Sequence, residues 1–240
     1  MICVKAGIAV DYEIIDISQE IYQGMPVFFP HQPTMIFPNV SHEESLQKMG
    51  FMFATNNLLL SEHGPTHTDA PYEYDLKGET IDRLPLEKFF GQAFCVDLKH
   101  IGEDSFIGKE DLRHALEKAG YKITGGDILL MHTGHFARNY GTDKWLANYT
   151  GLNYEAAAYL AKSGIKMIGV DAPSVDKTGD MNYSAHKACR EYGMLNTENL
   201  CNLDKLVGKK FLYIGFPLRI RNGTGSPVRA VAVIGGERRP

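Results

Sequence analysis

Apolar positions along the chain follow two rhythms. From Gly108 to Ala119, Leu112, Leu116 and Ala119 fall on one face while Lys109, Glu110 and Arg113 fall on the other. That is the 3.6-residue period of an amphipathic helix, and Gly120 is its natural stop. Asn153 to Lys162 repeats the pattern ahead of Gly164. Between these runs lie short apolar stretches that read as strands: Phe94 to Leu98, Asp127 to Met131 and a buried Ile165 to Val170. Phe211 to Phe216 and Val228 to Ile234 follow, around the turn Asn222-Gly223-Thr224-Gly225. Near the start, Ile2 to Val10 is strand material, Tyr12 to Ile17 alternates in two-residue steps, and Met49 to Leu60 alternates imperfectly. Helix followed by strand, repeated, predicts an α/β fold, and the hairpin signals around it predict a mixed sheet.

Proline punctuates this pattern. Pro26, Pro30, Pro33 and Pro38 pin the stretch from Gly24 to Pro38 as an extended loop, because each fixes its own φ and biases the preceding residue away from helix. A second loop is expected from His132 to Thr150. At 240 residues, with no linker and no repeat, the chain is expected to form a single domain over residues 1–240.

Charge and composition narrow the function classes. A net charge of −4 and the absence of a basic cluster interleaved with aromatics argue against nucleic acid as a partner. No window approaches the roughly 20 apolar residues that cross a bilayer, and the opening residues lack a signal-peptide pattern. The expectation is a cytoplasmic protein without a membrane partner. Cys3, Cys95, Cys189 and Cys201 show no CxxC spacing and read as free thiols, with Cys189 held in reserve as a ligand.

The chemistry concentrates in Ser61-Glu62-His63-Gly64-Pro65-Thr66-His67-Thr68-Asp69-Ala70-Pro71. His63, His67 and Asp69 are nitrogen and oxygen donors of the kind zinc, manganese and iron accept. The bland alternative is a decorated surface turn. Against it stand the density of donors and the restraint imposed by Gly64, Pro65 and Pro71. His63 and His67 are four residues apart, but the prolines argue against a helix, so a strand end or the loop beyond it must converge them. His186 and Glu198, twelve positions apart, offer a second pair of donors. No G-x-S-x-G elbow surrounds Ser61, Ser174 or Ser226, which leaves serine hydrolysis without support. His132 and His135 follow an expected strand. His132 fits packing at a strand end, and His135 is a candidate proton-transfer group. Phe28, Phe29, Phe136, Tyr140 and Trp145 are candidates for pocket, core or oligomer contacts.

The run from His63 to Pro71 resembles the signature of the cyclase-like family of metal-dependent hydrolases, which includes bacterial kynurenine formamidases and isatin hydrolases. The likeness extends to Asp16-Ile17-Ser18 with Gly24-Met25-Pro26-Val27, to Gly78–Leu86, to Gly169–Asp176 and to Ser226-Pro227-Val228-Arg229-Ala230. It implies a mixed β-sheet with a barrel-like core flanked by helices, the swivelling β/α fold, assembled as a homodimer or homotetramer. It further implies His63, His67, Asp69, His186 and Glu198 as metal ligands, with Asp69 bridging, and Zn²⁺ or Mn²⁺ as one or two ions per subunit. The implied activity is hydrolysis of a C–N bond in an amide, formamide or cyclic amide through metal-activated water. A lactone or ester hydrolase, or a non-catalytic metal-stabilised protein that binds a small molecule, are the alternatives. Two departures stand out. Pro65 replaces a usual glycine, and Glu73 stands where the family carries an acid/base histidine. Glu73 is therefore the expected base, with His135 as the second proton-transfer candidate. A ligand or structural role for Glu73 stays open.

Overall fold

A computed structural model describes residues 12–29 and 31–235; the expected strand Ile2 to Val10, Cys3 and Pro30 lie outside them. In chain order the strands are β1 (Tyr12–Asp16), β2 (Met35–Val40), β3 (Thr55–Leu59), β4 (His67–Asp69), β5 (Phe90–Asp97), β6 (Phe106–Ile107) and β7 (Ile128–His132). They continue with β8 (Gly151–Leu152), β9 (Met167–Val170), β10 (Leu195–Glu198), β11 (Lys210–Ile214), β12 (Gly225–Pro227) and β13 (Val231–Gly235). The helices are α1 (His42–Met49), α2 (Lys109–Lys118), α3 (His135–Asn139), α4 (Tyr154–Lys162) and α5 (Ser184–Tyr192).

Nine strands form one sheet in the order β1-β13-β11-β5-β7-β9-β10-β4-β12. Its centre, β5-β7-β9-β10, is parallel, and both flanks are antiparallel. Successive residues of a strand face opposite sides. Phe94 and Val96 of β5 and Leu129 and Met131 of β7 thus join the core beneath α2, α4 and α5, where Leu112, Leu116, Leu160, Ala185 and Cys189 meet them. Ala93, Cys95, Ile128 and Leu130 point the other way, into a second core with Ile17, Leu195, Phe211 and Tyr213. Burial on both faces is why these strands read as unbroken apolar runs. The mixed sheet curls into a half-barrel flanked by helices, as the resemblance implied.

Several elements differ from the sequence expectations. Residues 42–49 are helical where no helix was expected, and Met49 ends α1 instead of opening a strand. The cause is a capping box: the Ser41 hydroxyl accepts from the Glu44 N–H at 3.2 Å, and the Glu44 carboxylate accepts from the Ser41 N–H at 3.0 Å. Part of the proline-pinned loop is β2, which tolerates Pro38 because the register shifts between Pro38 and Val40. Helix α3 interrupts the expected loop from His132 to Thr150. Among the described residues, strands β2 and β3 pair only with each other, which sets the segment 35–59 apart from the main sheet. Met35, Phe37, Leu46, Met49, Phe51 and Leu58 are exposed on this segment. Among the described residues no helix is long and apolar enough to cross a membrane.

Candidate metal centre

The candidate ligands meet where β4 pairs with β10. His67 and Asp69, two apart on β4, face one side, while Thr68 faces the other and meets the Thr197 hydroxyl at 2.7 Å. The antiparallel register sets Glu198 of β10 directly opposite His67. His63 comes from the loop before β4. His186 comes from the first turn of α5, where the Asp176 carboxylate accepts both the Ala185 N–H and the His186 Nδ1–H, each at 2.5 Å. Asp176 thus caps the helix and aims its histidine in one stroke.

The result is two groups of donor atoms, His63/His67/Asp69 and Asp69/His186/Glu198, each within 4.8 Å of one another. Asp69 belongs to both, one oxygen to each. Its Oδ1 lies 2.7 Å from His63 Nδ1 and 3.2 Å from His67 Nε2, and its Oδ2 lies 3.4 Å from His186 Nε2. Glu198 Oε1 is 3.5 Å from His186 Nε2, and its Oε2 is 3.6 Å from His67 Nε2. Asn196 donates to Asp69 Oδ2. Val175 N–H donates to Glu198 Oε1 at 3.0 Å.

This donor set fits a divalent cation. The far nitrogen of each histidine is already engaged: His67 Nδ1–H donates to the Pro65 carbonyl at 2.9 Å, His186 Nδ1–H to Asp176, and His63 Nε2 meets Thr224 Oγ1 at 2.8 Å. The near nitrogens all face carboxylate oxygens, as in ligating histidines held by an outer partner. Burial alone would push these imidazoles down; the carboxylates around them instead raise His63 and His67, and His186 rises well above the usual histidine value. Burial would push Asp69 up, but the three imidazoles hold it well below the ordinary carboxylate range. The carboxylates therefore favour positive charge between these atoms, whether on the imidazoles or on a bound cation.

Glu73 sits in the turn after β4 with Oε1 3.6 Å from His63 Nδ1. Its side chain is 31% exposed at the cavity mouth, and burial of the rest together with the Asp69 charge pushes its carboxyl up to about 8. A cation in either donor group acts in the opposite direction. His135 is not brought to the cavity. It is buried behind Tyr149, its Nε2–H donating to the Trp145 carbonyl at 2.8 Å and its Nδ1 accepting from Asn139 at 3.1 Å. Both nitrogens are occupied by these partners, and burial pushes its pKa down. His132 is likewise buried at the end of β7, and Cys189 packs in the helix-side core, outside both donor groups.

Above the donors opens a cavity of about 740 Å³, lined by Phe28, His31, Tyr74, Leu146, Tyr149 and Tyr183 among others. That is ample for a small organic molecule. Sequence reasoning passed over His31, Tyr74, Asp176 and Asn196. Asp176 closes the Gly169–Asp176 stretch that resembled the family, so its place there was the one available signal.

The cyclase family model matches residues 15–177. A kynurenine formamidase from Bacillus cereus is 29% identical over 219 residues, covering 91% of this chain and 96% of that protein. One from Bacillus mycoides is 32% identical over 174 residues, covering 72% of this chain and 77% of that protein. Among solved structures, isatin hydrolase A from Labrenzia aggregata superposes with a TM-score of 0.83 at 24% identity, covering 94% of each chain. With the family model matching residues 15–177, more than half of the chain and the whole His63–Asp69 signature, this chain belongs to the cyclase family.

Proposed function

We propose that this protein is a metal-dependent hydrolase that cleaves the C–N bond of an amide, formamide or cyclic amide. The observation that carries the reading is Asp69, which gives one oxygen to each of two donor groups at the floor of an open cavity. The names of the relatives, kynurenine formamidase and isatin hydrolase, support the substrate class. His63, His67 and Asp69 would hold one ion, and Asp69, His186 and Glu198 a second. The first group offers two imidazoles and a carboxylate, a set that suits zinc. The second offers two carboxylates and one imidazole, which shifts preference toward a harder ion such as manganese. Such ions lower the pKa of water toward about 7 and polarise a carbonyl.

The chain's own residues supply the rest. Glu73 lies beside His63 at the cavity mouth and takes the proton of the attacking water. The same carboxyl then hands that proton to the leaving nitrogen as the C–N bond breaks. The aromatic walls, Phe28, Tyr74, Tyr149 and Tyr183, suit a planar apolar substrate. The segment 35–59 supports assembly, because among the described residues it forms a separate two-stranded sheet with Met35, Phe37, Leu58 and Leu59 exposed, and such a sheet is marginal in water by itself. A second copy of the chain, in a homodimer, is its proposed cover. Sedimentation at several concentrations tests this: a dimer mass is expected, and a monomer throughout refutes it.

The test of function is metal analysis joined to an assay panel of N-formyl aromatic amines, cyclic imides, isatin and small lactones. Turnover of C–N substrates that stops on chelation and returns with metal is expected. Turnover of lactones alone would move the assignment to ester chemistry. Bound metal with no turnover of any substrate would make the cavity a binding site.

A further inference from the structure

Residues 222–225 are in sequence terms a glycine-rich turn between strands. In the fold they close over Glu62 and His63. Thr224 donates twice to Glu62 Oε2, from its N–H at 2.8 Å and from its hydroxyl at 2.7 Å. The same hydroxyl oxygen lies 2.8 Å from His63 Nε2. A carboxylate only accepts, so the single hydroxyl proton of Thr224 is spent on Glu62. The oxygen can then only accept from His63, and Nε2 must carry the proton. The other nitrogen, Nδ1, is left to face Asp69 Oδ1.

The two flanking glycines make this approach possible. A Cβ on Gly225 would stand 2.7 Å from His63 Cε1, so the imidazole rests on bare backbone. A Cβ on Gly223 would stand 2.9 Å from Glu62 Oε1 and 2.8 Å from Ile81 Cγ2. The turn is anchored in its own right, since Ala70 N–H donates to the Thr224 carbonyl at 2.8 Å and Gly225 pairs with Asp69 in the β4–β12 register. The strand that bears Asp69 therefore also holds the cradle of His63, which ties the spacing of two donors to one piece of backbone.

We infer that Gly223-Thr224-Gly225 and Glu62 form a positioning device for His63, which fixes its Nε2–H tautomer and seats its ring so that Nδ1 is presented to the first donor group. This inference rests on the metal reading of the site. Glu62 and Thr224 act through His63 and are not catalytic residues. The device serves one donor group only, since His186 and Glu198 are held separately by Asp176 and Val175.

The test is calorimetric titration of the metal-free protein with Zn²⁺ and with Mn²⁺, under chelator competition, for the parent, Thr224→Val, Thr224→Ser and Gly225→Ala. Removing an outer partner of a ligating histidine typically costs about 10–100-fold in metal affinity. Thr224→Val should show that loss for the first ion, with the second ion within about threefold of the parent. Thr224→Ser restores the hydroxyl and should restore affinity, which a purely structural role for the methyl would not do. Gly225→Ala should weaken the first ion even with Thr224 intact. Should Thr224→Val fail to fold, Gly225→Ala and Glu62→Gln carry the test. A parent that binds ions and a Thr224→Val variant that binds them equally well would overturn the cradle and leave the metal centre standing. Equal loss of both ions that Thr224→Ser does not rescue would also overturn it. A parent that binds no ion would overturn both.

Discussion

Replacing Asp69 by Asn keeps the shape of the side chain and removes its charge, and it exchanges one of its two oxygens for an N–H donor. Asp69 Oδ1 faces His63 and His67 at 2.7 and 3.2 Å, and Oδ2 faces His186 at 3.4 Å. The amide oxygen can face only one group; the amide nitrogen must face the lone pair of the other. An outer partner of a metal ligand is worth about 10–100-fold in affinity, and a residue that itself faces both ions should exceed this. We therefore expect Asp69→Asn to weaken each ion by at least about 100-fold, or about 2.8 kcal/mol per ion at roughly 1.4 kcal/mol per tenfold. His186→Ala is the contrast, because it removes a donor from the second group alone and should leave the first ion within a few-fold of the parent. Both are read by calorimetry with chelator competition and by metal content after desalting. Two tightly held ions in Asp69→Asn, or equal loss of both ions in His186→Ala, would refute the shared-carboxylate geometry.

Glu73→Gln should keep its metal and lose turnover by about 10²–10⁴-fold, the usual worth of a general base, in a steady-state assay on whichever C–N substrate the panel identifies; an unchanged rate would remove Glu73 from the chemistry. Burial pushes the pKa of His135 below the ordinary histidine value of about 6.5. The unfolded chain therefore takes up this proton before the folded one does, so its contribution to stability is complete above about pH 6.5 and is lost as pH falls toward the lower folded value. Urea midpoints at pH 7 and pH 5 should converge in His135→Gln relative to the parent, and an identical pH dependence in both would refute this. Phe94→Ala empties a site that is 1% exposed and stacked on Tyr121 at 4.1 Å, and should cost about 3–5 kcal/mol in denaturant unfolding, with metal affinity unchanged.

The scaffold was legible in sequence where burial was apolar. Helices α2 and α4 and strands β5, β7, β9, β11 and β13 all lie within or close to the apolar stretches that predicted them. The elements that carry the candidate site were the ones least visible. Strand β4 is His-Thr-Asp and β10 is Leu-Asn-Thr-Glu, each buried throughout, so their polarity hid them from any search for apolar alternation. Helix α5 buries Ala185, Ala188 and Cys189, residues too small to mark a hydrophobic stripe. Buried polar strands are expensive unless their side chains are satisfied, and here the satisfying partners come from distant segments that only the fold assembles. The candidate donors were named through family resemblance and the fold brings them together, but their supports were not visible in the sequence. Asp176, Asn196, Glu62 and Thr224 reach the site from four separate stretches of chain. His135 shows the converse. A histidine after a buried strand is a reasonable proton-transfer candidate until the fold turns it toward the Trp145 carbonyl.

The central claim is that one carboxylate joins two metal positions at the floor of the cavity. Diffraction from crystals grown with Zn²⁺ and with Mn²⁺, recorded above and below each absorption edge, tests it most directly. The account predicts one anomalous peak among His63, His67 and Asp69, and a second among Asp69, His186 and Glu198, with a separate Asp69 oxygen directed at each. Density showing these side chains paired only with one another, and no anomalous signal between them at saturating metal, would contradict it.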